Sequence, residues 1–70
     1  MAITYYKNDG GSTTSVSNSN TIITASSFGW LRTDYRFIGW NTLSDCSGDI
    51  YYSGEEYNGE TLYAMWGSEP

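Results

Sequence analysis

The chain has 70 residues, 39% hydrophobic, 17% aromatic and 16% charged, with one proline, one cysteine and no histidine. That length holds one small domain, which buries only about 60% of its unfolded surface; with Cys46 alone and no histidine, neither an internal disulfide nor an ordinary Cys/His zinc site can staple it. Three basic residues (Lys7, Arg32, Arg36) against eight acidic ones give a net charge of −5, which argues against nucleic acid and anionic membrane surfaces, since both are bound through Lys and Arg.

No run approaches the roughly 20 apolar residues of a membrane span. The start, Met1-Ala2-Ile3-Thr4-Tyr5, has neither the charged n-region nor the apolar h-region of a signal peptide, so an export signal, if there is one, lies outside this segment. A single cysteine fits either redox compartment. What is left to build a core is aromatic packing: three Trp, seven Tyr and two Phe stand beside only nine Val, Ile and Leu.

Along the chain, Ala2-Ile3-Thr4-Tyr5-Tyr6 is β-branched and aromatic and stops at Asn8-Asp9-Gly10-Gly11. It reads as a strand running into a turn, because Asn, Asp and Gly tolerate positive φ. Residues 12–20 are Ser, Thr and Asn with one Val, either a polar loop or an exposed edge strand. Thr21-Ile22-Ile23-Thr24-Ala25 is a second strand-like run. From Ser26 to Tyr35 we expect an aromatic loop with at most a short helical turn around 26–33, since Gly29 opposes a longer helix. Arg36 to Asn41 alternates, with Ile38 and Trp40 on one face and Phe37 on the other. Asp45 to Asp49 is a turn, Ile50-Tyr51-Tyr52 a short extended piece, and Thr61 to Trp66 the last strand. Gly67 to Pro70 looks like the beginning of a linker. Four or five short strands and no sustained 3.6-residue pattern make this a small, mainly β domain. Phe28-Gly29-Trp30 and Ile38-Gly39-Trp40 look alike, but ten residues is too short a period for a structural repeat.

Taken together, Phe37-Ile38-Gly39-Trp40-Asn41-Thr42, Ser47-Gly48, Tyr51-Tyr52-Ser53-Gly54 and Leu62-Tyr63-Ala64-Met65-Trp66 resemble the Listeria–Bacteroides repeat. This is the internalin-type B repeat of bacterial surface proteins. The spacing of Trp40 and Trp66, twenty-six residues, matches the family's F-x-G-W and L-Y-A-x-W segments. Ile3-Thr4-Tyr5-Tyr6 with Asn8, Gly10 and Gly11 looks like its opening strand and Asn-Gly-Gly turn. Residues 1–66 then form one repeat domain, with 67–70 starting a linker. The chain departs from the pattern at Asp34-Tyr35, where the family usually has Gly-Tyr, at Asp9, inserted in the Asn-Gly-Gly turn, at the missing prolines, and at Cys46. The resemblance implies a β-grasp-like fold, a small twisted sheet related to ubiquitin-type folds. It also implies a non-catalytic spacer or protein–protein interaction module, extracellular and attached to the cell surface or wall within a larger protein. No cofactor and no metal are implied, and the partner would be a protein or a neighbouring repeat.

Ile3, Tyr5, Ile22, Phe37, Gly39, Trp40, Leu62, Ala64 and Trp66 are the candidate core, with Gly39 leaving room for a ring from a neighbouring strand. The alternative for exposed Trp and Tyr is a sugar platform, which would make the domain a carbohydrate-binding module. Trp30, Tyr6, Tyr51, Tyr52 and Tyr57 are the candidate binding residues. Trp30 serves either satellite packing or partner contact. Adjacent tyrosines on a strand point to opposite faces, so some must reach the surface, where they offer contact area at low entropic cost. Asp45, Ser47, Asp49 and Glu56 have the spacing of positions 1, 3, 5 and 12 of a calcium loop. However, Ile50 stands where that loop needs glycine, so a solvated turn is the better reading. Glu55, Glu56 and Glu60 sit among turn residues with no sign of a pocket to separate their pKa values, and no base is placed beside Cys46. Enzyme chemistry has no visible machinery. The polar run Ser12 to Asn20 is the candidate edge for a partner strand.

Overall fold

The computed structural model describes residues 2–68. Among these residues five strands form in chain order: β1 (Ile3–Tyr6), β2 (Thr14–Ser17), β3 (Tyr35–Asn41), β4 (Ile50–Tyr51) and β5 (Thr61–Ser68), with a single 3-10 turn at Ala25–Phe28. They lie in one sheet in the order β2-β1-β5-β3-β4. β1 and β5 are parallel, and the other pairs are antiparallel. This is the β-grasp arrangement with its helix reduced to one turn.

The β1–β2 hairpin follows from its turn chemistry. Asn8 and Gly10 take φ of 56° and 94°, the Asp9 carboxylate accepts the Gly11 N–H at 3.1 Å, and Lys7 pairs with Asp9 at 3.3 Å. The polar run after it is an edge strand at Thr14–Ser17 rather than a loop.

The strand expected over 21–25 does not form. Thr21 makes one isolated bridge to Glu56. Ile22 exchanges bonds with the loop instead, its N–H donating to Glu55 O and its carbonyl accepting Gly54 N–H, both at 2.8 Å. The β-branched run thus pairs with a turn and not with a strand of the sheet. From Ala25 the chain tightens into the 3-10 turn, closed by Gly29 at φ 74°. This turn starts one residue before the expected 26–33 window and occupies only its first part.

Two further differences lie in the sheet. A β-bulge at Ile38 lets Phe37 face Trp66 and Gly39 face Met65 with one residue to spare. The alternation therefore breaks: Phe37 and Trp40 share a face, with ring centroids 4.9 Å apart, and Ile38 is exposed. This reverses the assignment of faces made from strict alternation. At the other end, Gly67 and Ser68 continue β5 opposite Arg36 and Tyr35 instead of beginning a linker; residues 69–70 of that expected linker lie outside the described residues.

The core lies on one face of the sheet. Ile3, Tyr5, Ile22, Ala25, Trp40, Leu62 and Ala64 are buried. Phe28, Trp30, Phe37, Tyr51, Tyr57 and Trp66 are half-buried against them. Trp40 is the hub, 4.7 Å from the Tyr5 ring and 6.3 Å from Trp30. Burying such a ring is worth about 1.5–3 kcal/mol, and a tilted aromatic pair adds about 0.5–1.5 kcal/mol. Both strand indoles also tie in distant backbone: Trp40 Nε1 donates to Ile23 O at 2.7 Å and Trp66 Nε1 to Lys7 O at 2.6 Å.

Candidate functional site

With the core on one face, strand alternation sends Thr4, Tyr6, Thr14, Val16, Tyr63, Met65 and Gly39 to the other. Among the described residues that face carries no helix. Tyr6 and Tyr63 stack on it, with centroids 4.8 Å apart and planes 18° from parallel. The Tyr52 ring lies over Gly39, where a Cβ would meet Tyr52 Cδ1 and Cε1 at 3.2 Å. Ile38 lies over Gly67 in the same way. The two glycines of neighbouring strands are thus filled by side chains from beside them, leaving Ile38, Ile50 and Tyr52 about half exposed (45%, 52% and 53%).

One loop folds back over part of this face. Asn41 is fully buried; its Oδ1 accepts N–H bonds from Leu43 (3.0 Å) and Gly48 (2.9 Å), and its Nδ2 donates to Gly48 O (3.2 Å). The same Nδ2 approaches Met65 Sδ at 3.7 Å. From the other side, Asn8 Nδ2 donates to Ser44 O (2.9 Å) and Ala64 O (3.1 Å). Two asparagines, 33 positions apart in sequence, fix the loop 42–49. Cys46 sits in it exposed, at φ 64°.

The candidate binding residues do not converge. Tyr6 and Tyr52 lie on the open face. Tyr51 and Tyr57 pack on each other (4.8 Å) on the core side, where the Tyr57 hydroxyl donates to Thr61 O at 3.0 Å. Trp30 leans on Phe28 at 4.7 Å. Of these five rings only Tyr52 is exposed, and Tyr6 shares a face with Tyr63, so they form no coplanar pair of open rings. Sequence reasoning missed Ile38 and Ile50 as surface residues. Ile38 looked like a core partner of Trp40, and only the bulge turns it out.

Four of the acidic residues are held in hydrogen bonds at turns and loops. Asp45 Oδ1 accepts the Ser47 hydroxyl (2.6 Å) and N–H (3.1 Å), which hold its carboxyl below the usual range. Asp9 is lowered in the same sense, first by the Gly11 N–H and then by Lys7. Glu56 accepts from the Thr21 hydroxyl at 3.0 Å and Glu55 from Tyr52 N–H at 2.7 Å. Among the described residues no three acidic or thiol groups gather at one point, and no pocket indents the surface.

The sheet has two edges. β4 is two residues long and is followed by Glu55 and Glu56, with Asp49 before it. β2 is the freer one: no charged side chain occurs between Gly10 and Leu31, and Val16 on it is 59% exposed. No helix of the described residues is long and apolar enough to cross a membrane.

Two comparisons with known proteins give a match. A protein of Evansella cellulosilytica, described as "Putative membrane protein", is 51% identical over 41 residues, covering 53% of this chain and 6% of its own length. The chain thus spans a small part of that relative. No solved structure gives a significant match. The model of the Listeria-Bacteroides repeat domain matches residues 2–65, nearly the whole of the described sheet, and the chain belongs to that family of bacterial repeat domains.

Proposed function

We propose that this domain is a non-catalytic module of a larger bacterial protein displayed outside the cell, where it acts as a spacer and receives a protein partner by strand addition at β2. The observation that carries the reading is the open sheet with a free, uncharged edge at Thr14–Ser17. Sheet edges normally carry a Lys, a Pro or a bulge that discourages pairing. β2 has only Ser and Thr around Val16. An added strand would satisfy its outward backbone groups and place its side chains beside Val16 and Thr14.

Location and docking are tested separately. An antibody raised against the domain labels intact cells if the protein is displayed, and labelling only after permeabilisation overturns the surface reading. A photo-crosslinking side chain at Val16 captures the partner, and a charge placed on the edge by Ser15→Lys abolishes capture. Capture from Tyr52 instead, with none from Val16, would move docking to the open face.

A further inference from the structure

The first and last strands are neighbours and run the same way. β1 pairs with β5 through Thr4↔Thr61, Tyr5↔Leu62 and Tyr6↔Tyr63. Ile3 therefore stands level with Glu60, and Ser68 lies eight residues farther along β5, about 26 Å away at about 3.3 Å per residue. The polypeptide comes into the sheet at one end and leaves it at the other. A pull on the chain from both sides of the domain acts along the strands and drives β1 and β5 past each other.

In that geometry the cross-seam interactions are loaded together. Thr4 N–H donates to Glu60 O (2.8 Å) at one end. At the other, Asn8 Nδ2 donates to Ala64 O (3.1 Å) and Trp66 Nε1 to Lys7 O (2.6 Å). Between them lie the stacked Tyr6 and Tyr63 and the buried pair Tyr5 and Leu62. Sliding by one residue would turn the Tyr5 ring out of the core, because a one-residue slip exchanges the faces of a strand. Each terminal strand is also braced on its far side, β1 by four register pairs with β2 and β5 by six with β3. The three-pair seam between them is the plane that yields.

We infer that the domain is a force-bearing link, which resists stretching of the chain by shear of the β1–β5 seam. The inference rests on the spacer reading, since only a module within a longer chain is pulled from both sides. The Evansella relative, of which the match covers 6%, is such a longer chain.

Single-molecule stretching of the 70-residue chain, carrying Cys46→Ser so that handles attach only where intended, tests this. Handles on the two chain ends load the seam in shear. Handles on the N-terminal end and on Asn58→Cys, an exposed position just before β5, grip both strands at the same end and peel them apart. The unfolding force at one loading rate is several-fold higher between the chain ends than in the peeling geometry. Trp66→Phe, which keeps the ring and removes the bond to Lys7 O, lowers the end-to-end force and leaves the peeling force unchanged. Equal forces in the two geometries overturn the inference, as does an equal drop in both for Trp66→Phe. Should that variant not fold, the comparison of geometries in the Cys46→Ser chain decides alone. Equal forces would leave surface labelling untouched, and failed labelling would leave the mechanical asymmetry in place, so the two readings fail separately.

Discussion

At the scale of single residues, the clearest strain sits in a buried hydroxyl and two left-handed side chains. Tyr5 is fully buried and its hydroxyl has no hydrogen-bond partner among the described residues. Burial raises its pKa above the usual 10.0; the Ile23 backbone nearby opposes the shift but makes no bond of acceptable geometry. A buried unsatisfied hydroxyl costs about 1–3 kcal/mol, so Tyr5→Phe, which keeps the ring contacts, is neutral or raises stability by about 1 kcal/mol. Urea denaturation checks this, and a clear loss would reveal a bond to that hydroxyl. Asp34 and Cys46 hold φ of 66° and 64°, a conformation costing an L-residue about 1–2 kcal/mol relative to glycine. Asp34 also stands where the family usually has glycine. Asp34→Gly and Cys46→Gly each shift the urea midpoint upward, by somewhat less than that cost because glycine also frees the unfolded chain. The two gains add, since the positions lie in separate turns.

At the scale of elements, β3 depends on one extra residue. Because Phe37 already faces Trp66 and Gly39 already faces Met65, deleting Ile38 leaves every ladder pair on its present face. Deleting Gly39 instead slides Ile38 under the Tyr52 ring, where even a Cβ is tight at 3.2 Å. The Ile38 deletion therefore folds with a loss of about 1–2 kcal/mol at most, whereas the Gly39 deletion loses more through overpacking. Thermal melts of the two variants distinguish them. The loop 42–49 depends on Asn41 in the same local way. Asn41→Ala strands the Leu43 and Gly48 N–H groups that its Oδ1 now accepts, costing about 1–3 kcal/mol. Amide exchange in that loop accelerates, while exchange at β1 and β2 does not.

At the scale of the whole molecule, pH limits follow from opposite shifts. Asp9 and Asp45 have folded pKa values below the ordinary 3.8, so their contribution is present above that value and is lost as pH falls through the lower folded values. Tyr5 and Tyr57 are raised above 10.0, chiefly by burial. Their contribution is present below pH 10.0 and is lost as pH rises through the folded values. Stability therefore forms a plateau bounded by those two limits, with an alkaline limb that shrinks in Tyr5→Phe. Melting temperature measured from pH 3 to pH 11 shows the plateau; an alkaline limb unchanged in that variant would assign it to other tyrosines. The acid limb is shallow because both carboxylates are at the surface, where solvent screens their interactions.

By itself the sequence determined what the domain is made of and where several of its strands and turns fall. Ile3-Thr4-Tyr5-Tyr6 and Leu62-Tyr63-Ala64-Met65-Trp66 announce strands through β-branched and aromatic residues, and Asn8 to Gly11 announces a turn, because these are preferences of neighbouring residues. Trp40 and Leu62 read as core for the same local reason. Tertiary structure alone decided the rest. Ile22 looked like a strand but found its partners in the loop 54–57. The bulge at Ile38 reversed the faces that alternation assigned within β3, putting Phe37 beside Trp40 and turning Ile38 out. Which strands pair, and in which direction, depends on contacts far apart along the chain. A short aromatic run encodes the tendency to be a strand, but only the closing of the sheet placed β1 beside β5, and with it the ends of the domain.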